Sequence, residues 1–122
     1  MYLPKKCLAI GNTCVNNYYY QVKSFDVKPW PPDRGKNITI DMGGVFHQSV
    51  TVADIGIGQS INNQSWKYST VTVNQAFSNG ESHTFSTAIP AGSDPGSYYI
   101  QYSLKGLSDI FIACWSFEYQ LS

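Results

Sequence analysis

Residues 111–121 read FIACWSFEYQL, and the alternation in that run decides the fold class. Phe111, Ala113, Trp115, Phe117, Tyr119 and Leu121 fall on one face of an extended chain. Ile112, Cys114, Ser116, Glu118 and Gln120 fall on the other. Successive side chains of a strand point to opposite faces, so a period of two with one apolar wall marks a half-buried strand. The run before it, Ser97 to Lys105, repeats the pattern, with Tyr98, Ile100, Tyr102 and Leu104 opposed to Tyr99, Gln101, Ser103 and Lys105. The link Gly106-Leu107-Ser108-Asp109 is short enough to join the two as a hairpin.

Further upstream the same period recurs with interruptions. Tyr18 to Lys28 puts Tyr18, Tyr20 and Val22 on one face and then shifts parity to Phe25 and Val27, which predicts a β-bulge near Ser24. Lys36 to Met42 alternates cleanly through Ile38, Ile40 and Met42. Ser49 to Ile57 (Val50, Val52, then Ile55, Ile57) and Trp66 to Val73 (Trp66, Tyr68, then Val71, Val73) slip in the same way. Ser82 to Ile89 offers His83, Phe85 and Ile89. Turn residues separate these runs about every ten positions: Pro29 to Gly35, Gly43-Gly44, Gly56 to Gly58, Asn62-Asn63, Asn79-Gly80 and Pro90 to Gly96. No long window shows helical spacing. The reading is all-β: an immunoglobulin-like, two-sheet antiparallel β-sandwich of about seven strands.

Bulk composition agrees. A chain of 122 residues is one domain, with 43% apolar, 15% aromatic and 13% charged residues. Nine Tyr and three Trp suit pleated, half-buried strand surfaces. The same inventory excludes several functions. Eight basic and eight acidic residues leave no net charge, and Lys5-Lys6 is too small a cluster to track phosphates, so nucleic acid is not a partner. No run is long and apolar enough for a transmembrane segment.

Catalytic signatures are missing too. His47 and His83 stand far apart, with no metal-ligand spacing around them. There is no nucleophile elbow and no phosphate loop. Asp26, Asp41, Asp54, Glu81, Asp94, Asp109 and Glu118 sit singly on polar faces or in turns. Gly56-Ile57-Gly58 lacks the third glycine and following helix of a dinucleotide site. The run Pro29 to Pro32 reads as a rigid connection between strands. The expectation is a non-enzymatic protein with no cofactor, no metal and no catalytic residue.

Cys7, Cys14 and Cys114 are an odd set, so at most one internal disulfide forms. Met1 to Cys14 lacks the apolar core of a signal peptide, so either a leader has been removed or the chain does not enter the secretory path. The sequons Asn37-Ile38-Thr39 and Asn63-Gln64-Ser65 lean toward secretion.

Read in order, Cys14, the strand to Lys28, the segment Pro29-Trp30-Pro31-Pro32-Asp33-Arg34-Gly35-Lys36, Ala88-Ile89-Pro90, Pro95-Gly96-Ser97-Tyr98-Tyr99 and Ala113-Cys114-Trp115 resemble the ML lipid-recognition domains, the family of the Niemann-Pick type C sterol carrier. The resemblance covers roughly Cys14 to Ser122, so residues 1–13 are expected to be an N-terminal extension and 14–122 the ML-like domain. It implies a disulfide between Cys14 and Cys114, and an apolar cavity between the sheets holding a sterol, fatty acid or phospholipid for transfer or presentation. It further implies a secreted or lumenal location, lysosomal or extracellular, against an intracellular or membrane-associated complex. Two further disulfides usual in the family have no cysteines here: Trp30 stands at one such position, and Trp66 to Phe77 contains none.

Inward parity selects Val22, Phe25, Ile38, Ile40, Val52, Phe85, Ile100, Trp115 and Phe117 as the wall of that cavity. The alternative is that bulky rings such as Tyr20, Tyr68, Tyr98, Tyr102 and Tyr119 fill the gap. The chain is then a structural or interaction subunit of a larger assembly, meeting a protein partner through exposed Tyr19 and Tyr99.

Overall fold

The computed structural model describes residues 10–14, 19–64 and 66–122. Cys7, Tyr18, Ser65 and most of the expected N-terminal extension lie outside them. The strands are β1 (Asn12–Thr13), β2 (Tyr20–Lys28), β3 (Asn37–Phe46), β4 (Val50–Ile61), β5 (Trp66–Phe77), β6 (Ser82–Pro90), β7 (Gly96–Gly106) and β8 (Phe111–Leu121), with a 3-10 turn at Leu107–Asp109. All pairings are antiparallel. They form a five-stranded sheet ordered β1-β8-β7-β4-β5 and a three-stranded sheet ordered β2-β3-β6. The two-sheet sandwich is as the sequence predicts. The one additional strand is β1, two residues long and without an apolar pattern to reveal it.

Parity explains most of the core. In β2 the register shifts between Val22 and Ser24, which brings both Tyr20 and Phe25 inward. Ile38, Ile40 and Met42 of β3 are fully buried, as are Tyr102, Ile100 and Leu104 of β7. Strand β4 shifts between Val52 and Asp54, so Val52, Ile55 and Ile57 all face the core.

Two expected faces are corrected. In β5 the irregularity falls opposite the Val52–Asp54 shift, near Asn74 with φ of +49°, rather than between Tyr68 and Val71. Tyr68 pairs with Gly58 and Trp66 with Ser60, which places both rings on the outer face. A Cβ on Gly58 would lie 3.1 Å from the Tyr68 ring and 3.2 Å from that of Trp66, so glycine leaves the room they occupy. Tyr68 is 74% exposed and fills no inter-sheet space. In β8 a shift at Leu104/Lys105 turns Phe111 outward, where Lys105 Nζ lies 5.6 Å from its ring centre, and Ile112 takes the buried place.

The sheets are stitched along one edge. Ile10 N donates to Phe25 O of β2 at 2.8 Å, while Asn12 and Thr13 pair with Ser116 and Trp115 of β8. Trp115 Nε1 donates back to Ile10 O at 2.6 Å. Between them Gly11 adopts φ of +88°, and a Cβ there would fall 2.1 Å from Ser116 O, so only glycine fits. The Cys14–Cys114 disulfide closes this seam, with Cα atoms 5.2 Å apart.

That bridge spans 100 residues of sequence. On the chain-entropy model it restricts the unfolded chain by roughly 4–5 kcal/mol. The double variant Cys14→Ser/Cys114→Ser is therefore expected to unfold at a much lower denaturant midpoint. A midpoint equal to that of the oxidised parent would refute the assignment of that stabilisation to this bridge.

Candidate functional site

The interior is built from ring contacts across the sheets. Phe25 of β2 lies 5.9 Å from Tyr102, 5.7 Å from Trp115 and 5.6 Å from Phe117 of the larger sheet. At one end Phe46 of β3 stacks on Phe77 of β5 with ring centres 4.4 Å apart, and Phe77 in turn meets His83 and Phe85 of β6. Two hydroxyls also reach across. Tyr102 Oη and Thr87 Oγ1 share a hydrogen bond of 2.7 Å, and Tyr119 Oη donates to Ala91 O at 2.8 Å.

Seven of the nine residues chosen by parity are buried: Phe25, Ile38, Ile40, Val52, Phe85, Ile100 and Phe117. Val22 and Trp115 are partly buried against the same cluster. The structure brings the nine into or against one core, where Phe25, Trp115 and Phe117 pack on one another directly.

Open space lies beside this core, at the edge opposite the β1–β2–β8 seam. The smaller sheet ends at β6, whereas the larger extends to β5, so the inner face of β5 is not fully covered. Along it Phe77 is buried against β6, Val73 is partly buried, Val71 is 40% exposed and Ser69 and Lys67 are exposed. A cleft of about 290 Å³ opens there between the sheets, lined by Ile57, Gln59, Lys67, Tyr68, Ser69, Ile89 and Pro90. A second of about 210 Å³, lined by Gln59, Ile61, Gln64 and Lys67, shares two of those residues and continues it toward the β4–β5 turn. Ile57 and Ile89 form the floor; they are 4% and 8% exposed and belong to the core cluster.

A larger hollow of about 380 Å³, lined by Gly11, Asn12, Tyr99, Ser116, Phe117 and Glu118, involves the outer face of the large sheet and no residue of the small one. Of these, the 290 Å³ cleft takes its lining from both sheets. Parity missed Gln59, Lys67 and Ser69 because it looks for apolar residues. The register of β5 against β4, which pairs Lys67 with Gln59 and Ser69 with Ile57, is the signal that finds them.

The histidines occupy separate settings. His47 Nε2 and Gln21 Oε1 are 2.9 Å apart at an exposed position, and His83 packs on the rings of Phe77 and Phe85. Among the described residues no group of three or more His, Cys, Asp or Glu is placed to hold a metal ion. No helix among them is long and apolar enough to cross a membrane.

The two-sheet fold is shared with a solved structure. The solved structure of a Niemann-Pick type C2 protein from the Japanese carpenter ant superposes with a TM-score of 0.68. The match covers 93% of this chain and 99% of that one at 10% sequence identity, so the likeness is one of fold. Neither a family model nor a curated protein matches the chain.

Burial has a titration signature here. Desolvation pushes the Tyr102 phenol up to about 12, aided by Asp41 and partly offset by the Thr87 hydrogen bond. Tyr119 is also pushed up to about 12 by burial, then by Tyr98, with Gln59 pulling the other way. Burial raises Tyr20 as well; its hydroxyl donates to His83 O at 2.8 Å. Unfolded tyrosines ionise near pH 10, so above that value the folded chain binds more protons than the unfolded one and stability falls as pH rises. The contribution is whole below pH 10 and is lost by about pH 12. Denaturant titrations should show the midpoint falling across that interval. A flat midpoint there would exclude the buried phenols as its source.

Proposed function

We propose that the protein is a non-enzymatic lipid-binding protein that takes a sterol or acyl-chain lipid between its sheets for transfer or presentation. The observation that carries this reading is the uncovered inner face of β5, which opens directly onto Ile57 and Ile89 of the core. An acyl tail entering there gains roughly 0.8 kcal/mol per buried methylene. The clefts, about 290 and 210 Å³, fall below the usual range for ligand pockets, about 300–1,000 Å³. Full entry therefore requires β5 and β6 to part, turning about the stitched edge and displacing rings of the core. In that opened form the nine parity residues become the wall. The sandwich fold shared with the Niemann-Pick type C2 protein and the ordered ML-like motifs support the reading.

The Cys14–Cys114 disulfide suits an oxidising compartment, which favours a secreted or lumenal location. A second reading, an interaction subunit with a filled core, draws on the rings already packed between the sheets. It also draws on the outer-face cluster in which Trp66 lies 6.1 Å from Tyr68 and 5.5 Å from Tyr99. Tyr19, the other expected contact, is half-buried.

Native mass spectrometry and solvent extraction of the purified protein should reveal a bound sterol or acyl lipid. Protein that carries no lipid and shows no thermal shift with sterols, fatty acids or phospholipids would sink the carrier reading. Ser69→Trp provides a sharper check. Ser69 is exposed and lines the cleft, so a ring there blocks entry without disturbing the core. The variant should melt like the parent and lose most lipid uptake; undiminished uptake would place entry elsewhere.

A further inference from the structure

We infer that the open edge selects a lipid with a single anionic head group, a carboxylate or a phosphate, gripped by Lys67. The inference rests on the lipid-binding reading and concerns its substrate class. Lys67 lines both clefts and stands where they join, with Gln59 beside it in each. Its place on the inner face follows from register, because Lys67 pairs with Gln59, two residues along β4 from inward Ile57.

Charge around it is one-sided. Neither cleft is lined by an Asp or Glu, although the chain as a whole carries equal numbers of acids and bases. Two other cations are engaged, Lys28 Nζ 3.6 Å from Asp26 and Lys105 over the Phe111 ring, whereas Lys23, Arg34 and Lys36 show no ion pair among the described residues. Lys67 has no carboxylate within ion-pair distance among the described residues. Gln64 and Ser69 line the clefts with it, while the Gln59 side chain is engaged with the Tyr119 hydroxyl. The main chain of Lys36 is held beside the Pro90 wall, since Ala91 N donates to Lys36 O at 2.9 Å, so a second cationic residue sits at the same end.

A head group and its tail thus meet matching surfaces a few ångströms apart. Lys67 is exposed at the rim, open to solvent, and the floor of Ile57 and Ile89 is apolar and buried. Partial desolvation at a rim strengthens a charged hydrogen bond over one in bulk water without the full penalty of burying an ion. A lysine on an exposed edge strand also guards against edge-to-edge association. That role is satisfied by any charge at the position and carries no preference among ligands, which is what separates the two.

The experiment compares ligands of one tail length on the full oxidised protein: palmitate, palmitoyl lysophosphatidate and palmityl alcohol, with cholesterol as a separate arm. Dissociation constants are measured below the micellar range by displacement of a fluorescent fatty acid. Palmitate or lysophosphatidate should bind about tenfold tighter than the alcohol, with the difference shrinking at high salt. The stronger of the two anions identifies the head as carboxylate or phosphate. Lys67→Gln should abolish the preference, and Lys67→Arg should keep it. Equal binding of anion and alcohol, or a preference that survives in Lys67→Gln, overturns the head-group inference alone. Cholesterol binding without charge preference does the same. If no lipid binds the parent, the carrier reading falls and this inference with it.

Discussion

The segment from Ile10 to Cys14 crosses from one sheet to the other, and most of the architecture depends on that crossing. Its first residue bonds to β2 in the small sheet and its next residues pair with β8 in the large one. Sandwich sheets otherwise hold each other only through side chains about 10 Å apart. Backbone bonds, the indole of Trp115 and the disulfide make this edge a fixed seam.

The unequal sheets supply the counterpart. A five-stranded sheet against a three-stranded one leaves a strand of overhang, and that overhang is β5. One end of it is held by Phe77 against Phe46, His83 and Phe85. The other end carries Lys67 and Ser69 beyond the reach of β6. The cleft is thus a product of topology: the turn at Asn62-Asn63, where both residues take positive φ, returns the chain as one strand more than the facing sheet can cover.

Much of this was legible in the sequence. The strands from β2 to β8, the bulge after Val22 and the inward sets of β3 and β7 follow from alternation, but the turns expected at Gly43-Gly44 and Gly56 to Gly58 do not occur, since β3 runs on to Phe46 and β4 to Ile61 with those glycines paired inside the ladders. Where both faces carry large apolar groups, alternation is mute. Trp66 and Tyr68 are as apolar as Val71 and Val73, so the pattern in β5 could be phased either way, and the position of the irregularity near Asn74 decides it. Phe111 was misplaced for the same reason, since Ile112 beside it is equally apolar. The seam was invisible because Asn12 and Thr13 contribute backbone bonds rather than a pattern. The polar rim of the cleft, Gln59, Lys67 and Ser69, emerges only when two strands are laid in register.

The hydroxyl pair of Thr87 and Tyr102 stands directly behind the cleft floor: Tyr102 pairs with Ile57, and Thr87 shares a face of β6 with Ile89 two residues on. It acts as a crossbar between the sheets. Parting the sheets at this point separates two hydroxyls, that of Tyr102 fully buried, at a penalty of about 1–3 kcal/mol for a group left unsatisfied. The pair therefore ties the small sheet to the large one just behind the cleft floor, a second fastening on the side away from the seam.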